Sequence, residues 1–219
     1  MIKPYFAALI TAVASATNTR IGVLSDIHFN VNYNPASSTN LCTSSSSSNA
    51  DLIAPVGRYG CDSSEVLIDH MITRFKEKFG TVDVIIIPGD SVAHKVSAAT
   101  GSTDTDGIAY AAVKQNLEAT FTKLATAFPN TLIIPTFGNN DGRYHDEAID
   151  EADKSDYYIF AFDLWFNKLP GNANLDKTSI KQTLSAGGYY RVDVTTKLSI
   201  LSINSMYFAF NDNSLHGGE

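Results

Sequence analysis

The chain is poor in the residues that mark the simplest fold classes. Its 219 residues hold 2 cysteines, 1 tryptophan, 3 methionines and 7 prolines. Two cysteines cannot build a disulfide-dense mini-scaffold, and nothing near them suggests a metal site. Cations are outnumbered as well, with 16 Lys and Arg against 23 Asp and Glu, for a net charge of −7. No basic stripe is left over to neutralise phosphates, so no nucleic-acid-binding surface is expected. Beyond the first residues no apolar run approaches the ~20 residues that cross a bilayer as a helix, and no transmembrane segment is expected. Asn-x-Ser/Thr sequons are missing too. What is present is ordinary: 44% hydrophobic and 18% charged residues, the balance of a globular protein rather than a disordered one. The length suits one sizeable core and is short for two domains. Oligomeric state is left open.

The first residues have a pattern of their own. Met1-Ile2-Lys3 is a short basic start, Tyr5 to Val13 is apolar, and Ala14-Ser15-Ala16 is a small-x-small cleavage signature. Together these predict a signal peptide over residues 1–16 and a single domain over 17–219; an apolar first strand or helix is the competing reading. An exported or lumenal chain would then be oxidised. Cys42 and Cys61, separated by a Ser/Asn-rich loop, would pair most economically as a disulfide. Closing that loop stabilises by about 3 kcal/mol in the chain-entropy model. Two free thiols are the alternative.

Downstream, strand and helix patterns alternate. Arg20 to Leu24 is a short apolar run ending at Ser25-Asp26. Ser64 to Phe79 places Ile68, Met71, Ile72, Phe75 and Phe79 on one helical face, with serine caps before it and Gly80 after it. Val82 to Ile87 and Thr131 to Phe137 are apolar, β-branched runs that suit strands buried on both faces. Ala109 to Phe128 repeats the helical period, and Asp150 to Leu169 is a helix candidate dense in aromatics. Tyr189 to Val194 and Lys197 to Asn204 read as a hairpin or adjacent strands. The alternation implies βαβ units, hence an α/β fold with a mainly parallel sheet.

In open α/β sheets ligands sit outside the carboxyl ends of the strands. The three apolar strands end in Asp26-Ile27-His28, Gly89-Asp90 and Gly138-Asn139-Asn140. Singly, each is an ordinary turn or cap. Jointly they offer carboxylates, an imidazole and a neutral amide oxygen, a mixed O and N donor set that suits Zn, Mn or Fe better than Ca or a thiolate site.

The order D-x-H, G-D, G-N-[H/N]-D, each after an apolar strand, resembles the calcineurin-like metallophosphoesterase superfamily. Within it the chain is similar to the acid sphingomyelinase-like phosphodiesterases, through "VGRYGCDSSEVLI" (Val56 to Ile68), "GDSVAH" and "LSINSMYF" (Leu201 to Phe208). The likeness runs over residues 19–210 and implies a metallophosphoesterase-type β-sandwich flanked by helices. It further implies two divalent cations, Zn first with Mn or Fe as alternatives, acting on a phosphoester substrate: a small molecule, a lipid head group or polyphosphate. By the family's pattern Asp26 and His28 would hold the first cation, Asp90 would bridge, and Asn139 would hold the second. His94 would be a nearby catalytic hydrogen-bonding residue. The implied reaction is attack of a metal-activated hydroxide on phosphorus.

Two departures accompany the likeness. Asn140 stands where the family usually has a leaving-group acid, and an amide has no proton to give. Related endopolyphosphatases resemble this chain in showing Gly-Asn-Asn-Asp with a later histidine, and His145 occupies that place as the proposed replacement. The family's later Gly-His and Gly-His-x-His ligands have no counterpart, since His70 lies in a predicted helix and His216 lacks their context. The chain is accordingly expected to be the N-terminal part of such a domain, with a non-catalytic homologue as the second explanation and low activity on its own. The compartment implied by the signal is secreted or a lysosomal or vacuolar lumen.

Overall fold

Residues 18–36 and 53–209 are described by the computed structural model. The predicted signal peptide, Cys42 and His216 lie outside the described residues, so the Cys42–Cys61 bridge and the cleavage site stand as proposals.

Three short strands form a parallel sheet in the order β1 (Ile21–Val23), β2 (Val84–Ile87), β3 (Leu132–Pro135). Their register pairs Val23 with Ile86 and Ile87 with Pro135, so β1 and β2 stop together and β3 stops beside them. Ile85, Ile87, Ile133 and Ile134 are all but fully buried, each worth about 2 kcal/mol of transfer free energy. That burial on both faces is why these runs read as unbroken apolar stretches rather than as alternations.

The crossovers are α1 (Glu65–Phe79) and α2 (Ile108–Ala127). Ser64 caps α1 by accepting the Leu67 amide, and Gly80 ends it at φ 64°, a backbone conformation that glycine adopts without penalty. Gly107 at the head of α2 has no side chain to cap with. The carboxylate of Asp104 reaches forward instead, accepting from the amides of Ala109 and Tyr110.

The aromatic-rich segment departs from the expected single helix over 150–169. Asp150 to Asp153 form a turn. Then α3 (Lys154–Phe162) passes into a π-helical turn over Asp163–Asn167, seen in the Lys168 amide bonding back to the Asp163 carbonyl at 3.0 Å. Leu164, Trp165 and Phe166 are consecutive and all buried. One α-helical stripe cannot turn three neighbours in a row inward, and the wider turn does. Trp165, Tyr157 and Tyr158 close around Phe137, with Trp165 nearest at 4.5 Å between ring centroids. The cluster packs around the residue that precedes Gly138.

A further helix, α4 (Lys177–Gly187), was not expected; its 11 residues bury only Ile180, Leu184 and Gly187, too few apolar positions to show a period. The last elements are the antiparallel pair β4 (Tyr190–Thr195) and β5 (Leu198–Ser202). This second sheet docks on the end of β3, where the hydroxyls of Tyr190 and Ser202 donate to the Pro135 carbonyl.

Candidate metal centre

Past the sheet edge the chain leaves β1 and β2 through left-handed backbone. Asp26, His28 and Asp90 have φ of 54°, 43° and 52°, a region that costs a non-glycine residue about 1–3 kcal/mol. Cross-loop hydrogen bonds offset that cost. The His28 amide donates to the Asp90 carbonyl (2.9 Å) and the Phe29 amide to that of Ser91 (3.1 Å). Single bridges pair Phe29 with Val92 on one side and with Ser63 on the other. The result throws three side chains onto one spot. Ligand atoms of Asp26, His28 and Asp90 lie within 4.8 Å of one another.

Hydrogen bonding sets the free atoms. His28 Nδ1 lies 3.0 Å from the Val92 carbonyl, which can only accept, so Nδ1 carries the hydrogen. Nε2 is then the lone-pair nitrogen, and it faces Asp90 Oδ2 at 3.7 Å. A backbone carbonyl fixing the tautomer in this way is the usual support of a metal-bound imidazole. Asp90 Oδ1, on the other side of the carboxylate, accepts the Asn140 amide at 3.0 Å. That bond fastens the β3 turn against Asp90. Asn139 rides on the same turn, its Nδ2 donating to Asp146 Oδ1 (2.9 Å) and lying 3.2 Å from His145 Nε2. With the nitrogen committed to a carboxylate, the amide cannot be flipped, and Oδ1 is the atom left for a cation.

Charge favours a cation at this edge. Among the described residues no Lys or Arg pairs with Asp26 or Asp90, and His28 is the one group within ion-pairing distance of Asp90. Asp141 adds a fully buried carboxylate beneath them. It accepts the amides of Ser91 and Val92 (both 2.9 Å) and of Gly138 (2.8 Å). Burial pushes its pKa up to about 6 and the Asp90 charge adds to this, while the three amide bonds resist. Unpaired carboxylates with a tautomer-fixed imidazole and an oriented amide oxygen form a donor set that fits divalent Zn, Mn or Fe.

The other expected residues fall around this set. His94 stacks face to face on His28, centroids 4.2 Å apart and planes 18° apart. His28, Asp62 and His94 also place ligand atoms within 4.8 Å of one another, but His94 Nδ1 is taken by Asp62 Oδ1 at 2.8 Å, which makes His94 a neighbour of the centre. His145 is about one-third exposed, its Nδ1 3.2 Å from Asp146 Oδ2. Its loop is pinned by the His145 amide bonding the Ala98 carbonyl. Asn140 is 1% exposed, and neither atom of its amide finds a protein partner. His70 lies on α1 beside a groove of about 830 Å³ between α1 and β1, away from the strand ends. Three supporting acids were missed from the sequence: Asp62, Asp141 and Asp146. Asp62 and Asp141 stand inside the motifs "GCDSS" and "GNND", where an Asp beside a glycine turn is a signal for main-chain capping.

The family model described as calcineurin-like phosphoesterase matches residues 19–214. The chain is 26% identical to sphingomyelinase phosphodiesterase D of Dictyostelium discoideum, over 72% of this chain and 31% of that protein. It is 29% identical to the endopolyphosphatase of Schizosaccharomyces pombe, over 75% of this chain and 27% of that one. To acid sphingomyelinase-like phosphodiesterase 3b of Mus musculus it is 28% identical, over 70% and 32% respectively. The chain thus spans about a third of the length of these curated relatives.

Proposed function

The chain belongs to the calcineurin-like phosphoesterase family, and on that premise we propose that it hydrolyses a phosphodiester with two divalent cations held at the strand ends. The observation that carries this reading is the convergence of Asp26, His28 and Asp90 ligand atoms within 4.8 Å, with Nε2 of His28 left free by its bond to Val92.

Asp26 and His28 would hold the first cation, Asp90 would bridge, and Asn139 Oδ1 would serve the second. Bound there, the cations supply Lewis-acid polarisation of the phosphoryl group and lower the pKa of water towards neutrality. The protein's own part is to aim these donors and to hold hydrogen-bonding groups beside the leaving oxygen. We assign that second task to His94, which lies against His28, and to His145, which lies against Asn139. Asn140 keeps the place of the usual acid but is turned inward, and its main-chain amide steadies Asp90. Polyphosphate is the second substrate reading, favoured by the Gly-Asn-Asn-Asp motif and the endopolyphosphatase likeness. Secretion, or delivery to a lysosomal or vacuolar lumen, is proposed from the N-terminal pattern, with Cys42–Cys61 as the accompanying disulfide.

Zinc and manganese titrations of the chain, paired with hydrolysis of bis(p-nitrophenyl) phosphate and of polyphosphate, test the reading. Weak metal-dependent turnover of the diester is expected, lost in Asp90→Asn; on an alkyl phosphodiester, whose poor leaving group needs an acid, His145→Ala should slow it at least about tenfold. Stoichiometric metal uptake without turnover of either substrate would favour a non-catalytic binding homologue. No metal uptake would defeat the proposal.

A further inference from the structure

Asp62 lies within 4.8 Å of His28 and His94 by its ligand atom, yet both of its oxygens are engaged by His94. The segment carrying Asp62 runs alongside residues 28–30: the Ser63 amide donates to the His28 carbonyl (3.0 Å) and the Asn30 amide to that of Ser63 (2.9 Å). With Phe29 bridged to Val92 on its other side, main-chain bonds alone bring Asp62 over residue 94. There its two oxygens divide. Oδ2 accepts the His94 amide at 2.9 Å, and Oδ1 lies 2.8 Å from His94 Nδ1. The Asp62 side chain is 8% exposed, and His94 is its ion-pairing partner. A carboxylate so nearly buried is costly unless its bonds are used.

We propose that Asp62 is a positioning residue that fixes the ring of His94 over the cation site. Oδ1 holds the edge of the ring and His28 holds its face, so rotation about the side chain is blocked. The hydrogen on Nδ1 is committed to Asp62, and Nε2 is the nitrogen left to meet an incoming phosphoester. Asp62 would therefore do for His94 what the Val92 carbonyl does for His28. One is a catalytic neighbour and the other a ligand, and both are oriented from the segment next door. The part assigned to His94 rests on the phosphodiesterase reading above; the part assigned to Asp62 rests on these bonds alone.

The test uses the ¹⁵N-labelled full chain and its Asp62→Ala and Asp62→Asn variants. Long-range ¹H–¹⁵N correlation, recorded without metal, should show a slowly exchanging Nδ1–H on His94 in the wild type. That signal is expected to vanish in Asp62→Ala and to survive in Asp62→Asn, whose carbonyl oxygen still accepts. Zinc affinity measured by calorimetry should stay within about twofold across all three, because both Asp62 oxygens are engaged by His94. Diester turnover should fall about 10- to 100-fold in kcat for Asp62→Ala with KM nearly unchanged, and recover in part in Asp62→Asn. An Nδ1–H signal that persists in Asp62→Ala, or a matching loss of zinc binding, would overturn the assignment. If the zinc-loaded wild type turns nothing over, the hydrolase reading fails instead, while the ring signal still decides for or against Asp62.

Discussion

Two glycines let the centre close. A Cβ on Gly138 would lie 2.3 Å from both the amide nitrogen and Oδ1 of Asp90, and one on Gly89, at φ 122°, would lie 2.6 Å from the Gly138 nitrogen. Neither neighbour can yield without moving the Asp90 carboxylate, because Asp90 Oδ1 is tied to the Asn140 amide. Gly138→Ala is therefore expected to weaken zinc binding by about tenfold or more while leaving the far-UV dichroism of the chain intact. Calorimetric titration beside a dichroism spectrum checks both halves. The strained φ at Asp26, His28 and Asp90 belongs to the same device: side chains are aimed by turns that no isolated peptide would hold. From the sequence, the candidate donor types at the strand ends were legible because the motifs pair Asp with His and Gly with Asp. The aim of each side chain was not, since it depends on bonds to residues such as Val92, over 60 positions away from His28.

At the scale of elements, β3 is one of the two outer strands of the parallel sheet and needs a partner on its far side. Asn172 supplies one. Its Oδ1 accepts the Ile133 amide at 3.0 Å and its Nδ2 donates to the Ile133 and Trp165 carbonyls at 2.7 and 2.8 Å, so a fully buried amide imitates a stretch of neighbouring strand. Asn172→Ala strands those main-chain groups in an apolar setting. A loss of about 3 kcal/mol is expected, read as a fall in Tm of roughly 6–12 °C by differential scanning calorimetry. The strands and the first two helices could be read from apolar runs and caps, with boundaries shifted by a residue or two. The helix over 150–169 could not be read correctly. Its aromatics mark burial but not the π turn, which exists to wrap Trp165 and its neighbours around Phe137. Nor could α4 be read, because its hold on the core comes from Ile180 and Leu184 and from its Asp176 cap.

For the whole molecule, the excess of acid is concentrated to effect at one edge. Asp26, Asp90 and the buried Asp141 share it without a Lys or Arg partner among the described residues, so the metal-free fold carries mutual repulsion. Binding of a divalent cation to the folded state alone should then raise stability by about 4 kcal/mol at a thousandfold excess over Kd. Zinc-loaded protein is expected to melt well above EDTA-treated protein in a fluorimetric scan. Asp90→Asn should raise the EDTA-treated Tm slightly and abolish the metal-dependent rise. Equal melting of the loaded and stripped forms would mean that the acidic edge holds no cation.

By itself, the sequence determined the class of fold and the chemical types at the strand ends, because burial on two faces and turn chemistry are local properties written in consecutive residues. Only the tertiary structure decided which atoms of those residues are free. Val92 takes one nitrogen of His28, Asp146 takes the nitrogen of Asn139, and Asp62 takes one edge of His94. Val92 and Asp62 arrive from other loops and Asp146 from further along the same one, and such hydrogen bonds leave no period in the chain that makes them.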